Sequence, residues 1–174
     1  KMAFSLHSHY CAEHAAALRA RVAEMREPPL GLDHVPDAAL DLFFDEVLSV
    51  PDTAPLLVGV YSHAVPALRS ALEEYISTTN PLVDHPSIRV CRFALLEVRE
   101  IEAYGKHALE AFAPEAGKVP TAWTDHLDRL LAQAGGLDGS APRAEGEPRR
   151  LDPTRSYVFD PVPRRDERFL DPYN

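Results

Sequence analysis

A helical repeat of apolar residues runs through the first two thirds of the chain and constrains its fold more than any other feature. Up to about Phe112 the sequence contains only three glycines, Gly31, Gly59 and Gly105, and its apolar residues recur at intervals of three and four. This is the period of an amphipathic α-helix, and no segment shows the sustained alternation of a β-strand. The pattern therefore predicts an all-α protein.

Five helices are predicted from the apolar stripes and from the prolines, glycines and capping residues that bound them. The third should be kinked at Pro66, because the proline ring and its missing N–H disrupt the turn behind it. Short connections between four longer helices favour an antiparallel four-helix bundle with one short extra helix. The predicted helices cover residues 3–26, 37–50, 53–79, 87–112 and 121–134.

The sequence changes character at Leu137. Six of the 16 prolines lie between Pro142 and Pro172, and no helical period continues there. Residues 1–136 are therefore predicted to form the helical bundle, and residues 137–174 an extended arm rich in proline and arginine. We expect the arm to lie against the bundle or a neighbouring subunit, with a disordered tail as the alternative. The aromatic residues that favour docking are Tyr157, Phe159, Phe169 and Tyr173.

Composition excludes several classes of function. The chain has 174 residues, which fits one ordinary soluble domain, and its 18 Lys and Arg against 27 Asp and Glu give a formal charge of -9. Nucleic-acid binding is therefore not expected. Two cysteines make no disulfide framework, and no signal peptide or membrane span is visible in the sequence. A cytoplasmic protein without membrane attachment is the expectation.

Two carboxylates stand inside the apolar stripe of the fourth predicted helix. At about 100° per residue, Glu97 lies close to Ala94 and Ile101, while Glu100 lies beside Tyr104. Both are expected to point inward. A carboxylate is tolerated there only if a cation, a proton or a metal compensates its charge.

Histidines on two other helices can supply that compensation. His7 and His14 replace hydrocarbon in the apolar stripe of the first helix, together with Cys11, and His63 lies at the edge of the apolar face of the third. Imidazole and carboxylate inside a helical bundle are the ligand chemistry of non-haem iron or manganese, with zinc as an alternative. The predicted metal ligands are His7, His14, His63, Glu97 and Glu100.

Structural explanations of the same residues stay open. Each histidine can be a core side chain with a backbone partner, Cys11 can be a small buried hydrophobe, and the two carboxylates can join an ion network. The arginines available for that network are Arg19, Arg21 and Arg69. Cys91 is interpreted as plain packing, Glu102 is expected in solvent, and outward or loop positions are predicted for His9, Glu13, His34, His85 and His126.

Two segments resemble helices of a known superfamily. The sequence LEVREIEAY at residues 96–104 resembles the last bundle helix of ferritin-like di-iron proteins, nearest the branch of the tRNA hydroxylases, where Glu-x-Arg-His is followed by an aromatic residue, Glu and Tyr. LLVGVYSHA at residues 56–64 resembles the preceding helix of that branch. Glu97 keeps the identity of a family ligand, whereas Glu100 stands where the family has His and His63 where it has Glu.

The resemblance implies a ferritin-like bundle whose metal ligands are altered. The first hypothesis is a non-haem iron or manganese oxidoreductase, of the di-iron type in the family, in which the metal activates oxygen or peroxide. The alternative is a bundle that has lost catalysis and acts as an interaction or assembly subunit, as a homo-oligomer or with a protein partner, through its arm. A third reading is metal storage or a zinc hydrolase that uses His7, His14 and His63.

Overall fold

The computed structural model describes residues 2–25, 31–32, 34–35, 37–159 and 162. Within these residues the chain is helical and contains no strand, which confirms the predicted all-α class. Phe169 and Tyr173 of the predicted arm lie outside the described residues. The helices are α1 (Met2–Met25), α2 (Ala38–Leu48), α3 (Thr53–Val58), a π-helical segment (Gly59–Ala64), α4 (Val65–Thr78), α5 (His85–Ala111), α6 (Ala113–Ala116) and α7 (Thr121–Ala134).

The central helix of the molecule consists of α3, the π segment and α4 in direct succession. At the end of the π segment the N–H of Val65 donates to the carbonyl of Val60, five residues back. Pro66 follows at once. It has no N–H, and its ring crowds the carbonyl four residues before it, so a widened turn accommodates it without ending the helix. The disrupted turn behind Pro66 takes the form of this π-helical segment, and the kink itself stays a prediction.

Two layers of helices pack against the central helix, and each has its own hydrophobic core. α2 and α7 contact each other and one face of the central helix, while α1 and α5 lie on another face. The core on the α5 side contains Leu57, Tyr61, Val65, Leu72, Cys91, Ala94, Leu95, Val98 and Ile101. The core on the α2 side contains Phe43, Val47, Trp123, Leu127 and Leu130.

The sequence prediction is most accurate for α7. The sequence predicts that Trp123, Leu127, Leu130 and Leu131 pack together; the first three are buried, and Leu131 is partly buried against the same core. The helix ends at Gly135, whose φ of 79° is left-handed and therefore favours glycine. The N–H of Gly136 donates to the carbonyl of Leu131 at 2.9 Å, which completes the cap.

Two predicted faces are wrong at their edges. In α2, Phe44 and Leu48 are expected inside but are 43% and 48% exposed, because the helix buries only the stripe of Phe43 and Val47. In α1 none of the residues, all of which the structure describes, is buried. α1 packs chiefly on α5. Cys11, expected as a buried hydrophobe, is exposed for that reason.

Candidate functional site

The buried face of α5 differs from the predicted one, and this decides which carboxylate lies inside. The face is centred on Val98, which is fully buried, about 90° around the helix from the stripe that the sequence predicts. Glu97 therefore lies at the edge of the face and is half-buried, and Glu100 is exposed. The expected inward position of Glu100 is wrong. Glu102, expected in solvent, is half-buried instead.

Glu97 contacts a histidine of α1. The Nε2 atom of His14 lies 2.6 Å from the Oε2 atom of Glu97, and the two side chains are 12% and 39% exposed. Because a carboxylate accepts the bond, Nε2 carries the proton. The Nδ1 atom of His14 is buried and has no hydrogen-bond partner among the described residues. A carboxylate that orients an imidazole occurs both in general-base pairs and behind metal ligands.

His7 lies two helical turns away on α1 in a cluster of aromatic rings. Its Nδ1 atom shares a hydrogen bond of 2.9 Å with the hydroxyl of Tyr61, and its ring packs edge-on against Tyr104 at 5.1 Å. Burial lowers the pKa of His7. Burial and the neighbouring Tyr104 raise the pKa of Tyr61 to about 12. Both groups are therefore uncharged at neutral pH.

Tyr61 fits this cluster because Gly105 faces it from α5. A Cβ atom on Gly105 would lie 2.5 Å from the Tyr61 ring. Such a distance is a clash, so the glycine sets how closely α5 approaches the central helix. Phe4 of α1 stacks on the same ring with a centroid distance of 6.0 Å.

His63 belongs to a different pair of helices. Its Nδ1 atom lies 2.8 Å from the Oδ1 atom of Asp128 on α7, and the two side chains are 11% and 67% exposed. The π segment that carries His63 packs against both layers. The histidine therefore faces the α7 side, away from His14 and Glu97.

The five predicted metal ligands are thus divided among separate places. His14 and Glu97 come together, whereas His7 bonds to Tyr61, His63 bonds to Asp128 and Glu100 is exposed. Over the part of the chain that the structure describes, no group of three or more His, Cys, Asp and Glu side chains is placed to hold a metal ion. The residues do not fit one ligand set in this conformation, and their role as ligands stays a prediction.

The arginine network expected as an alternative forms around other carboxylates. Arg69 bonds to Glu102 at 3.1 Å and to Glu73 at 2.7 Å. Arg99 pairs with the same Glu73 at 3.1 Å. Since this network lies on the exposed side of α4 and α5, it satisfies Glu102 and leaves Glu97 to His14.

A buried polar pair lies in the other layer and was missed by sequence reasoning. Glu46 of α2 and His126 of α7 are 7% and 5% exposed, with 3.8 Å between Oε1 and Nε2. Arg129 lies 3.1 Å from Nδ1 of the same ring. Burial lowers the pKa of His126, although the charge of Glu46 opposes this. The outward position predicted for His126 is wrong, and its place three residues after Trp123 was the available signal.

Residues 149–159 of the predicted arm lie across α2, and we call this segment the strap. Arg150 pairs with Asp45, and the N–H of Leu151 donates to the buried carboxylate of Glu46 at 2.8 Å. Further along, the N–H of Tyr157 donates to the Oδ1 atom of Asp45 at 3.0 Å. The expectation that the arm lies against the bundle is confirmed for this stretch.

The strap carries apolar side chains that point away from the core. Val158 and Phe159 are 78% and 72% exposed, next to the tethered Tyr157. α2, to which the strap is bonded through Asp45 and Glu46, also exposes Phe44 and Leu48. We name this region the arm surface and define it as Phe44, Leu48, Leu151, Tyr157, Val158 and Phe159.

Comparisons of the chain with family models, curated proteins and solved structures found no match. Among the described helices, none combines the length and apolar character needed to cross a bilayer. The function is therefore inferred from the residues of the chain itself.

Proposed function

We propose that this protein is an interaction subunit that associates with a second copy of itself through the arm surface. One observation carries the proposal: Val158 and Phe159 are strongly exposed although Tyr157, the residue before them, is hydrogen-bonded to Asp45. Exposed apolar patches with aromatic residues, presented by a fixed scaffold, are typical of protein interfaces.

The tethers of the strap favour association. A free extended segment loses backbone conformational entropy when it binds, at a cost of about 1–2 kcal/mol for each ordered residue. Here the bonds of Arg150, Leu151 and Tyr157 to α2 fix the backbone in advance. Part of the ordering cost is therefore met within the folded chain, which leaves more of the contact energy for binding.

Charges of both signs on the arm surface favour a second copy as the partner. α2 contributes the exposed Asp41, while the strap contributes Arg149 and Arg155, whose side chains are 80% and 56% exposed and pair within the chain with Glu147 and Asp152. In a two-fold contact the same patch meets itself, so basic groups of one copy can face acidic groups of the other. This local balance matters because the chain as a whole carries a formal charge of -9, which opposes self-association.

A pair of substitutions tests the proposal. V158S/F159S removes the two most exposed apolar side chains of the arm surface, and we expect it to convert a dimer into a monomer in sedimentation velocity experiments. The matched control is L82S/V83S, which changes two neighbouring residues that are 92% and 78% exposed in the connection between α4 and α5. The control is expected to remain dimeric. Equal masses for both variants would show that the arm surface is not the interface between two copies.

The ferritin-like origin of the bundle, and with it a non-haem iron or manganese oxidoreductase, stays a prediction from the sequence. The pairing of His14 with Glu97 supports this second candidate, because it joins a family ligand position to an imidazole. Metal analysis per chain on protein purified without chelator or histidine tag tests it. Loss of bound metal in Glu97→Ala, with retention in Glu100→Ala, would favour it. A chain that stays empty after anaerobic reconstitution with iron would contradict it.

A further inference from the structure

An apolar cleft with a volume of about 410 Å³ opens between α1, α4 and α5. It lies in the layer opposite the arm surface. Cys91 of α5 belongs to its lining and is 3% exposed. The hydrocarbon part of the lining comes from all three helices and includes Leu18, Val22, Leu68, Ala71, Leu72 and Cys91.

The charged groups at the rim of this cleft are already paired. Arg21 donates to the Ser87 hydroxyl at 2.8 Å and pairs with Glu24 at 3.0 Å and Asp84 at 3.5 Å. Asp84 also accepts hydrogen bonds from Ser87 and Tyr75. These bonds from the two hydroxyl groups lower the pKa of Asp84 to about 2.

The remaining acid at the rim is satisfied as well. The Oδ1 atom of Asp138 accepts bonds from the Ser140 N–H at 3.1 Å and from its hydroxyl at 2.8 Å. A charged ligand head buried in the cleft would meet charged lining groups that already have partners, and burying it unpaired is costly. An uncharged ligand avoids this cost.

We propose that the cleft binds a small, uncharged, hydrocarbon-rich molecule. Its volume lies within the range of ligand pockets, about 300–1,000 Å³. At about 30 Å³ for each water-sized group, it holds roughly a dozen non-hydrogen atoms. The driving force is burial of the Leu18 and Leu68 side chains, which the packing of the helices leaves half-exposed.

Binding is measured with 1-aminoanthracene, a small neutral apolar dye whose size is close to that of the cleft, and with 1-decanol as the competitor. We expect the fluorescence of the dye to rise on addition of the protein and to fall when decanol displaces the dye. Ala71→Phe fills the cleft and is expected to abolish both effects. The control Ala122→Phe adds the same ring at an exposed position of α7 and should leave them unchanged.

The alkylation rate of Cys91 tests whether the ligand lies in the cleft. The chain has two cysteines, so Cys11→Ser leaves Cys91 as its single thiol. Burial and the charge of Asp84 raise the pKa of the Cys91 thiol, and alkylation with N-ethylmaleimide is therefore followed at pH 8 by mass spectrometry. Decanol at ten times its apparent Kd should slow the labelling about tenfold, since only the free fraction reacts.

Three results would overturn the proposal. The first is dye binding that persists in Ala71→Phe, because the dye would then occupy another surface. The second is a rate of Cys91 labelling that decanol leaves unchanged. The third is a protein that binds no dye and whose Cys91 is not labelled. Dye that binds, is displaced by decanol and is lost in Ala71→Phe supports the proposal even if Cys91 reacts too slowly to measure.

Discussion

The two layers of the bundle differ in how far they bury their polar side chains. The α2/α7 layer encloses Glu46 and His126, and the strap donates a backbone N–H to the buried carboxylate. The α1/α5 layer keeps His14 and Glu97 at an open edge, where they satisfy each other. Glu46 and His126 are buried where α2, α7 and the strap meet, whereas Glu97 at the edge of α1 and α5 stays accessible to solvent.

The comparison also predicts where the molecule opens first. No residue of α1, which is described over its whole length, is buried, whereas Phe43, Leu127 and Leu130 of the other layer are completely buried. Segments with few buried apolar contacts unfold locally at low free energy. α1 is therefore expected to exchange its amide hydrogens faster than α7.

The largest expected effect comes from truncating leucines in the two layers. Leu127→Ala removes a fully buried side chain and is expected to lower the free energy of unfolding by about 3–4 kcal/mol. Leu18→Ala on α1 makes the same change at a half-buried position and should cost about 1 kcal/mol. Urea denaturation followed by circular dichroism measures both. Equal losses would mean that α1 is as firmly packed as α7.

A smaller effect is expected where α5 meets the central helix. Gly105→Ala places a methyl group against the Tyr61 ring and should cost about 1–3 kcal/mol, which exceeds the gain of about 1 kcal/mol in helix propensity. The control is Gly117→Ala, where the nearest atom lies 3.3 Å away. Its effect on the same denaturation curve should stay within about 0.5 kcal/mol. A stabilised Gly105→Ala would show that the ring moves freely.

Two carboxylate variants test whether the contact of Glu97 with His14 holds α1 on α5. Glu97→Gln weakens the charged bond to His14 and is expected to speed hydrogen exchange along α1, by an amount that corresponds to about 1 kcal/mol. Glu100→Gln changes an exposed side chain of the same helix and should leave α1 unaffected. Equal exchange in the two variants would mean that His14 does not fasten α1.

The smallest effect concerns pH and the opposite layer. Burial lowers the pKa of His126 from 6.5, so the unfolded chain binds more protons than the folded chain as the pH falls below that value. Stability contributed by the neutral ring is therefore present above pH 6.5 and is lost on acidification. His126→Gln should flatten the decline in urea midpoint between about pH 7 and pH 5.5. An unchanged decline would assign it to other groups.

Sequence patterns predicted the helices well because prolines, glycines and caps act locally. The disturbed turn before Pro66, the cluster of Trp123 with Leu127 and the stop at Gly135 all follow from neighbours in the chain. Chain neighbours do not determine which side of a helix is covered.

The errors follow from that limit. The sequence predicts Glu100 inside because it lies beside Tyr104 in the apolar stripe, but Tyr104 is itself 45% exposed. The sequence predicts an outward position for His126 although its spacing from Trp123 places it on the buried face of α7, and the strap that helps to cover it comes from a distant part of the chain. Arg150 and Leu151 contact residues of α2 that lie 105 positions earlier in the chain. A local sequence pattern does not predict which residues are joined over that separation.

The most direct test of the account is the mass of the unmodified protein in solution. Sedimentation equilibrium over a wide range of concentrations should give a mass that rises to twice the 19.3 kDa of one chain. V158S/F159S should remain at the mass of a single chain over the same range. A wild-type chain that stays at 19.3 kDa at every concentration would contradict the claim that the arm surface joins two copies.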